Sequence, residues 1–424
     1  MKILVHGAGQ EVGRSCIEIQ SKDGEFLLDC GVKLNFQGME YPTRTDTKDI
    51  DAVFISHAHL DHTGCLPLFD HQGLFCPVFA TPMTKAITKI LLMDSFEIEM
   101  AEKHGDVAYK KRDVERIGES IITVNYNEWG KIHGIEWKFT DAGHIPGSAS
   151  IMLKTEGKTI LYTGDINTEE TLLMQRIDDN YKEKIDILII ESTYGSREHP
   201  DRIKTEEEFL NLVQEKINQG TVLLPCFAVG RAQEIMLLLK RRKWPVNIYI
   251  DGMAKEVTEL LFNYPKSYKN PSGLKNAYNS VNQVRGSHDR DSLLNRDEKA
   301  VIITTSGMLD GGPIVRYLEQ LYNNPNVSII LTGYQVMDSN GRMIVESKKA
   351  RINKRVVDVK CFIKQFDFSA HAGKSGLEKL IQKINPKIAI INHGDVKEAE
   401  SLGNFCSKLK IKTFVPKTGE VITI

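Results

Sequence analysis

Short apolar runs broken by glycine-bearing turns dominate the first part of the chain, and this pattern predicts strands. Ile17-Glu18-Ile19 alternates as a half-buried strand does, and Ser21-Lys22-Asp23-Gly24 carries turn chemistry. Phe26-Leu27-Leu28-Asp29 predicts a second strand, ending at Cys30-Gly31. Ala52-Val53-Phe54-Ile55-Ser56 is a continuous apolar run, the mark of a buried strand, and it delivers a histidine-rich segment at its end. Residues 84–102 predict a helix, with Ile87, Ile90, Leu91 and Met93 among its apolar positions. Strands follow at 137–139, 149–153 and 159–162, and a strongly apolar one over 185–190 stops at Glu191. Polar residues therefore cluster at strand ends, where loops carry chemistry.

After Tyr194 the texture changes. A helix is predicted over 205–219, closed by Gly220, then a strand over 221–225, a helix over 231–240, and strands over 301–305 and 327–332. This alternation predicts an α/β domain with a mainly parallel sheet. Residues 263–300, rich in Asn, Ser, Lys and Gly, are expected to form a surface excursion. From Phe368 the chain returns to short strands and histidine-bearing turns.

Length changes this picture first: 424 residues exceed one ordinary core and imply two domains or one domain with a large insertion. Hydrophobic content of 41% and charged content of 26% are those of a globular protein. No apolar run approaches the roughly 20 residues of a membrane helix. The run from Met1 to Gly7 is too short for a signal-peptide core, so a cytoplasmic protein without a membrane partner is expected. Seven cysteines without a C-x-x-C pair suggest neither a disulfide framework nor a thiolate metal site. The net charge of −1 makes no global case for nucleic acid. Two local basic runs stand out, Lys240-Arg241-Arg242-Lys243 and residues 348–355 with five Lys or Arg; taken alone, each is a solvated helix end or hairpin.

The chemistry concentrates in His57-Ala58-His59-Leu60-Asp61-His62, four potential ligands within six positions. Histidines at i and i+2 project to one side of a strand end, and Asp61 and His62 turn towards a second ion. Zinc takes imidazole nitrogen and carboxylate oxygen at about 2.0–2.2 Å, so one loop could serve two adjacent ions. His144 in Gly143-His144, Asp165 in Thr163-Gly164-Asp165 and His393 in His393-Gly394 each sit beside glycine at a turn. Alone, each is as well explained as a turn residue.

Together these segments resemble the metallo-β-lactamase superfamily, specifically its β-CASP branch of nucleic-acid-processing nucleases. The resemblance runs through Gly7-Ala8-Gly9-Gln10-Glu11-Val12-Gly13-Arg14-Ser15-Cys16, Leu28-Asp29-Cys30-Gly31, Glu191-Ser192-Thr193-Tyr194-Gly195 and Phe227-Ala228-Val229-Gly230-Arg231-Ala232-Gln233-Glu234. It continues through Ser306-Gly307-Met308-Leu309, Phe368-Ser369-Ala370-His371-Ala372 and His393-Gly394, and is similar to the cleavage-and-polyadenylation endonuclease subgroup with its archaeal and bacterial relatives. The glycines of the first segment are spaced wrongly for a dinucleotide site and lead into a strand.

The resemblance implies an αββα metallo-β-lactamase sandwich over 1–195 and 361–424, interrupted by an α/β β-CASP domain over 196–360. It implies two zinc ions, one held by His57, His59, His144 and Asp165, the other by Asp61, His62, His393 and a bridging Asp165. Asp29 is expected to orient a ligand histidine. His371, Glu191 and the ligand Asp61 are the candidate catalytic residues; His371 would protonate the departing 3′-oxygen, with Glu191 holding its tautomer. Ser306, Gly307, Arg231 and Tyr334 are candidate substrate-binding positions, with Arg231 as readily a brace as a phosphate contact. Histidine at 393 is similar to the RNA-processing members, so single-stranded RNA is the expected substrate. A DNA nuclease and a non-catalytic RNA-binding scaffold are the alternatives, and a homodimer or RNA-processing complex stays open.

Overall fold

Along the strand Gly24–Leu28, Phe26 and Leu28 face one way and Leu27 the other, and all three are fully buried. A strand buried on both faces needs a layer on each side. The computed structural model supplies both, and it describes residues 1–35, 38–44, 48–74, 76–102, 107–296, 298–336 and 339–424. The chain forms two units: Met1–Glu170, Met174–Glu198 and Ala370–Ile424 make the first, Thr171–Leu173 and His199–Ser369 the second.

The first unit contains two seven-stranded sheets. One runs in the order Val421–Thr423, Lys2–Gly7, Cys16–Ser21, Gly24–Leu28, Ala52–Phe54, Val78–Ala80 and Ile122–Thr123. The other runs Lys412–Phe414, Ile388–Asn392, Ile187–Glu191, Lys158–Tyr162, Ala149–Thr155, Ile135–Asp141 and Trp129–Ile132. Alternate residues of the two sheets, among them Ile17, Phe26, Phe54, Phe139, Ile151, Ile160 and Ile189, share one core between them. The opposite faces pack on helices: Leu27 and Val53 against Leu66, Phe69, Leu92 and Val114, and Leu188 and Ile391 against Leu377, Ile381, Leu402 and Cys406. This is the expected αββα sandwich.

The second unit is built on a six-stranded sheet ordered Asn282–Gln283, Asn247–Asp251, Ala300–Thr304, Val222–Pro225, Ser328–Leu331 and Phe362–Gln365, and its described pairings are all parallel. Two expectations change here. Residues 263–300 carry the helices Pro271–Tyr278 and Ser287–Leu294, which bury Leu274, Ala277 and Leu293. Their polar composition hides a narrow apolar stripe, and Asn270 starts the first helix by accepting the Gly273 amide at 3.0 Å. The return of the chain to the first unit, expected at 361, comes after Ser369, because Phe362–Gln365 pairs in parallel with Ser328–Leu331. Among the described residues, no helix is long and apolar enough to cross a membrane.

Candidate metal centre

The histidine-rich loop leaves the strand Ala52–Phe54 and enters the short helix Leu60–Thr63. Its backbone is pinned by neighbouring segments. The amides of Ser15, Cys30 and Val32 donate to the carbonyls of Asp61 (2.7 Å), His62 (2.8 Å) and Leu60 (3.0 Å). A side chain on Gly31 would place its Cβ 1.7 Å from the Asp61 oxygen, so only glycine lets this loop meet the short helix. Gly164, at φ +55°, makes a similar close approach to Ser56 and turns Asp165 into the same space.

Asp165 stands at the centre. Its Oδ2 lies 3.6 Å from His57 Nε2 and 3.8 Å from His144 Nε2, and its Oδ1 lies 3.4 Å from His62 Nε2 and 3.3 Å from His393 Nδ1. Ligand atoms of His57, His59, His144 and Asp165 all fall within 4.8 Å of one another, as do those of His62, Asp165 and His393, and those of His57, Asp61 and His62. Asp61 Oδ2 is 3.3 Å from His393 Nε2. The seven side chains singled out as ligands thus lie together, although they come from four separated segments.

These residues fit a metal. His62 Nε2 and Asp165 Oδ1 are buried and make no hydrogen bond, a costly arrangement that a cation between them relieves. Burial, with neighbouring histidines adding to it, holds His57, His59 and His144 below the ordinary imidazole range, so they are neutral, as ligation requires. Burial opposes charge on His62 as well, yet the Asp165 and Asp29 carboxylates outweigh it and push that imidazole well up. A cation held there would take over the role of those protons.

The surrounding shell fixes these candidate ligands. Asp29 Oδ2 accepts from His62 Nδ1 (2.6 Å), the Ser56 hydroxyl (2.7 Å) and the Tyr162 hydroxyl (2.6 Å), and its Oδ1 accepts the Ser56 amide at 2.6 Å. His144 Nδ1 is held by the Ala370 carbonyl at 2.9 Å. Ser56 and Tyr162 escaped the sequence reading, although each flanks a ligand motif; the Ala370 carbonyl leaves no mark in any sequence. Asp29→Asn should weaken metal affinity about 10- to 100-fold, read by titration against a chelator of known affinity. Unchanged affinity would remove the orienting role of Asp29.

Beside the candidate ligands, His371 Nδ1 lies 3.1 Å from Glu191 Oε2, and Glu191 Oε1 also accepts the Ile166 amide at 2.6 Å. Burial works against the His371 imidazolium, but Glu191 and Asp165 prevail and raise its pKa to about 9. Tyr194 meets the His371 ring edge-on at 6.0 Å and carries the Arg197 guanidinium at 4.6 Å on its own face.

The four substrate-binding candidates lie in the second unit. Ser306 and Gly307 follow Ala300–Thr304, Tyr334 follows Ser328–Leu331, and Arg231 opens the helix after Val222–Pro225. All are at the carboxyl edge of its parallel sheet, the edge at which open α/β sheets bind ligands. Gln335 Nε2 joins two of these turns through the carbonyls of Gly307 (3.1 Å) and Gly333 (3.2 Å). Tyr334 is 42% exposed, and Phe227, which the sequence reading passed over, is 36% exposed on the same edge. Arg231 turns inward: burial beside Arg202 pushes its pKa down to about 10, and its Nε makes no hydrogen bond.

Comparison with known proteins agrees with this architecture. Residues 232–344 match the family model of the Beta-Casp domain, and residues 356–416 that of the Zn-dependent metallo-hydrolase RNA specificity domain. Residues 1–215 match the model described as anti-Pycsar protein Apyc1. The chain is 43% identical to "Probable RNase MJ4" of Methanocaldococcus jannaschii over the full length of both. It is 33% identical to RNase aCSPSF2 of Saccharolobus solfataricus, covering all of this chain and 85% of that one. Transcription termination factor FttA of M. jannaschii is 32% identical and is covered over 72% of its length. A crystal structure of a protein of unknown function from Enterococcus faecalis shares the fold at a TM-score of 0.64 and 18% identity, over 100% of this chain and 99% of that one.

Proposed function

The chain belongs to the β-CASP family of metallo-hydrolases, and from that premise we propose that it is a ribonuclease using two zinc ions to hydrolyse phosphodiester bonds of single-stranded RNA. One observation carries the reading: three overlapping groups of metal donors share Asp165 or His57, and the His371–Glu191 pair stands against the same carboxylate. Its relatives named RNase support an RNA substrate.

His57, His59, His144 and Asp165 would hold one ion, and Asp61, His62, His393 and the bridging Asp165 the other. When bound, such a pair activates a water and neutralises the phosphate undergoing in-line attack. The rest is done by the chain's own groups. Asp29 keeps the proton of His62 on Nδ1 and directs Nε2 inward. Glu191 keeps His371 protonated on Nδ1, so its second nitrogen can deliver a proton to the departing 3′-oxygen. In the second unit, the orphaned Nε–H of Arg231 suits a phosphate oxygen better than it suits a brace, which would be hydrogen-bonded. Tyr334 offers a ring for base stacking and the Ser306-Gly307 turn offers backbone amides.

Matched single-stranded RNA and DNA oligonucleotides test the reading. RNA cleavage that chelation abolishes and zinc restores is the expected result. Faster cleavage of DNA, or RNA binding without cleavage by zinc-loaded protein, would replace it with one of the alternatives.

A further inference from the structure

The two basic runs of the sequence differ in how far their charges are paired. In the first, Arg241 pairs with Glu206 at 2.6 Å, and Arg242 with Glu207 at 2.6 Å and with Asn211 at 2.8 Å. Its arginines are neutralised on their own helix pair. The second run becomes the hairpin Lys349–Ile352 and Arg355–Asp358. Residues 346–360 carry six basic side chains, Lys348, Lys349, Arg351, Lys354, Arg355 and Lys360, against two acidic ones, Glu346 and Asp358. Glu346 is engaged by Arg342 at 2.5 Å. Among the described residues, Lys348, Lys349, Lys354, Arg355 and Lys360 form no ion pair, and all five are exposed.

The hairpin is also held rigid, which distinguishes it from a floppy lysine loop. Ala350 and Ile352 are buried in the core of the second unit. Asn340 clamps the backbone of Arg351 from both sides, accepting its amide at 2.7 Å and donating to its carbonyl at 3.0 Å. Asn353 and Lys354 both take positive φ, the two-residue turn whose twist suits a hairpin. A concentrated positive charge, kept open to solvent on a chain whose net charge is −1, is matched by a polyanion whose bound counterions it can release.

We propose that this hairpin is a sequence-independent binding surface for the phosphate backbone of the RNA substrate, separate from the groups that do the chemistry. The proposal rests on the ribonuclease reading above for the identity of its ligand. Every contact it makes is to phosphate, so it raises affinity for any RNA sequence equally.

The test titrates a labelled, unstructured oligo-uridine against the full chain carrying Asp165→Asn, with and without the triple change Lys349→Glu, Lys354→Glu and Arg355→Glu, over a range of salt. The triple variant is expected to bind at least about tenfold more weakly at low salt, with the slope of log Kd against log salt reduced by about 2. The same three positions changed to Gln should show the same loss of slope, and they serve if the Glu variant misfolds. Lys240→Glu, Lys243→Glu and Lys266→Glu together make the same change of charge outside the hairpin and control for net charge. Unchanged affinity and slope in a triple variant with the parent's melting temperature overturns the proposal, as does an equal loss in the control. A hairpin reserved for an acidic protein would leave the RNA titration unchanged, the same overturning result. Cleavage by the unaltered chain is measured separately: binding that depends on the hairpin without any cleavage would sink the ribonuclease reading and leave this one standing.

Discussion

Asp165→Asn is expected to lower the rate of RNA hydrolysis by three or more orders of magnitude and to reduce bound metal from two ions towards one or none. The substitution keeps the size of the side chain and removes its charge. That charge lies within 4 Å of nitrogens on His57, His62, His144, His371 and His393, so no other residue of the centre has as many dependants. Burial raises the cost of a charge on Asp165, yet His393, His62 and His371 hold the carboxyl well below its ordinary range. An amide in that place offers one neutral oxygen and turns an N–H towards a donor-rich pocket. Metal-assisted activation is worth several kcal/mol, and each ~1.4 kcal/mol is tenfold in rate, which sets the expected size. Metal analysis and single-turnover cleavage measure it together. Full activity with two ions retained would rule out Asp165 as the shared ligand.

His371→Ala should cost about 10²- to 10⁴-fold in kcat, the usual range for a lost proton donor, while leaving the metal in place. The sign of the pH effect follows from the raised pKa. The proposed donor is the imidazolium, present below about 9, so activity of the unaltered protein should fall as pH rises through about 9. The variant lacks that limb. Glu191→Gln should bring the limb to lower pH, because the nearest carboxylate supporting the imidazolium is gone. A substrate whose bridging 3′-oxygen is replaced by sulfur leaves without protonation and should restore most of the rate to His371→Ala. No restoration, together with an unchanged pH profile, would make His371 a structural residue.

Much of this centre is legible along the chain because ligand chemistry is local. Histidines at i and i+2 after a buried strand, and lone His or Asp residues beside glycine at strand ends, stay visible whatever the fold does with them. Strand periodicity likewise marks the first region as β-rich, while its layered sandwich is expected only from the family resemblance; the structure shows why Phe26 and Leu27 face different neighbours. Short, polar-rich elements are less visible. The helices within 263–300 bury only a few side chains each, too few to impose a period on their composition.

Sequence by itself determined which side chains could bind metal and which family of catalysts they resemble, because those properties belong to residue types and spacing. Tertiary structure decided what each of them faces. Tyr162 reaches Asp29 from 133 residues away, and the Ala370 carbonyl reaches His144 across 226. The same holds for charge: Glu206 and Glu207 pair with Arg241 and Arg242, while Lys348, Lys349, Lys354, Arg355 and Lys360 keep their charges in solvent. Hydrogen bonds and ion pairs act over a few ångströms of space, and only folding sets which distant residues come that close.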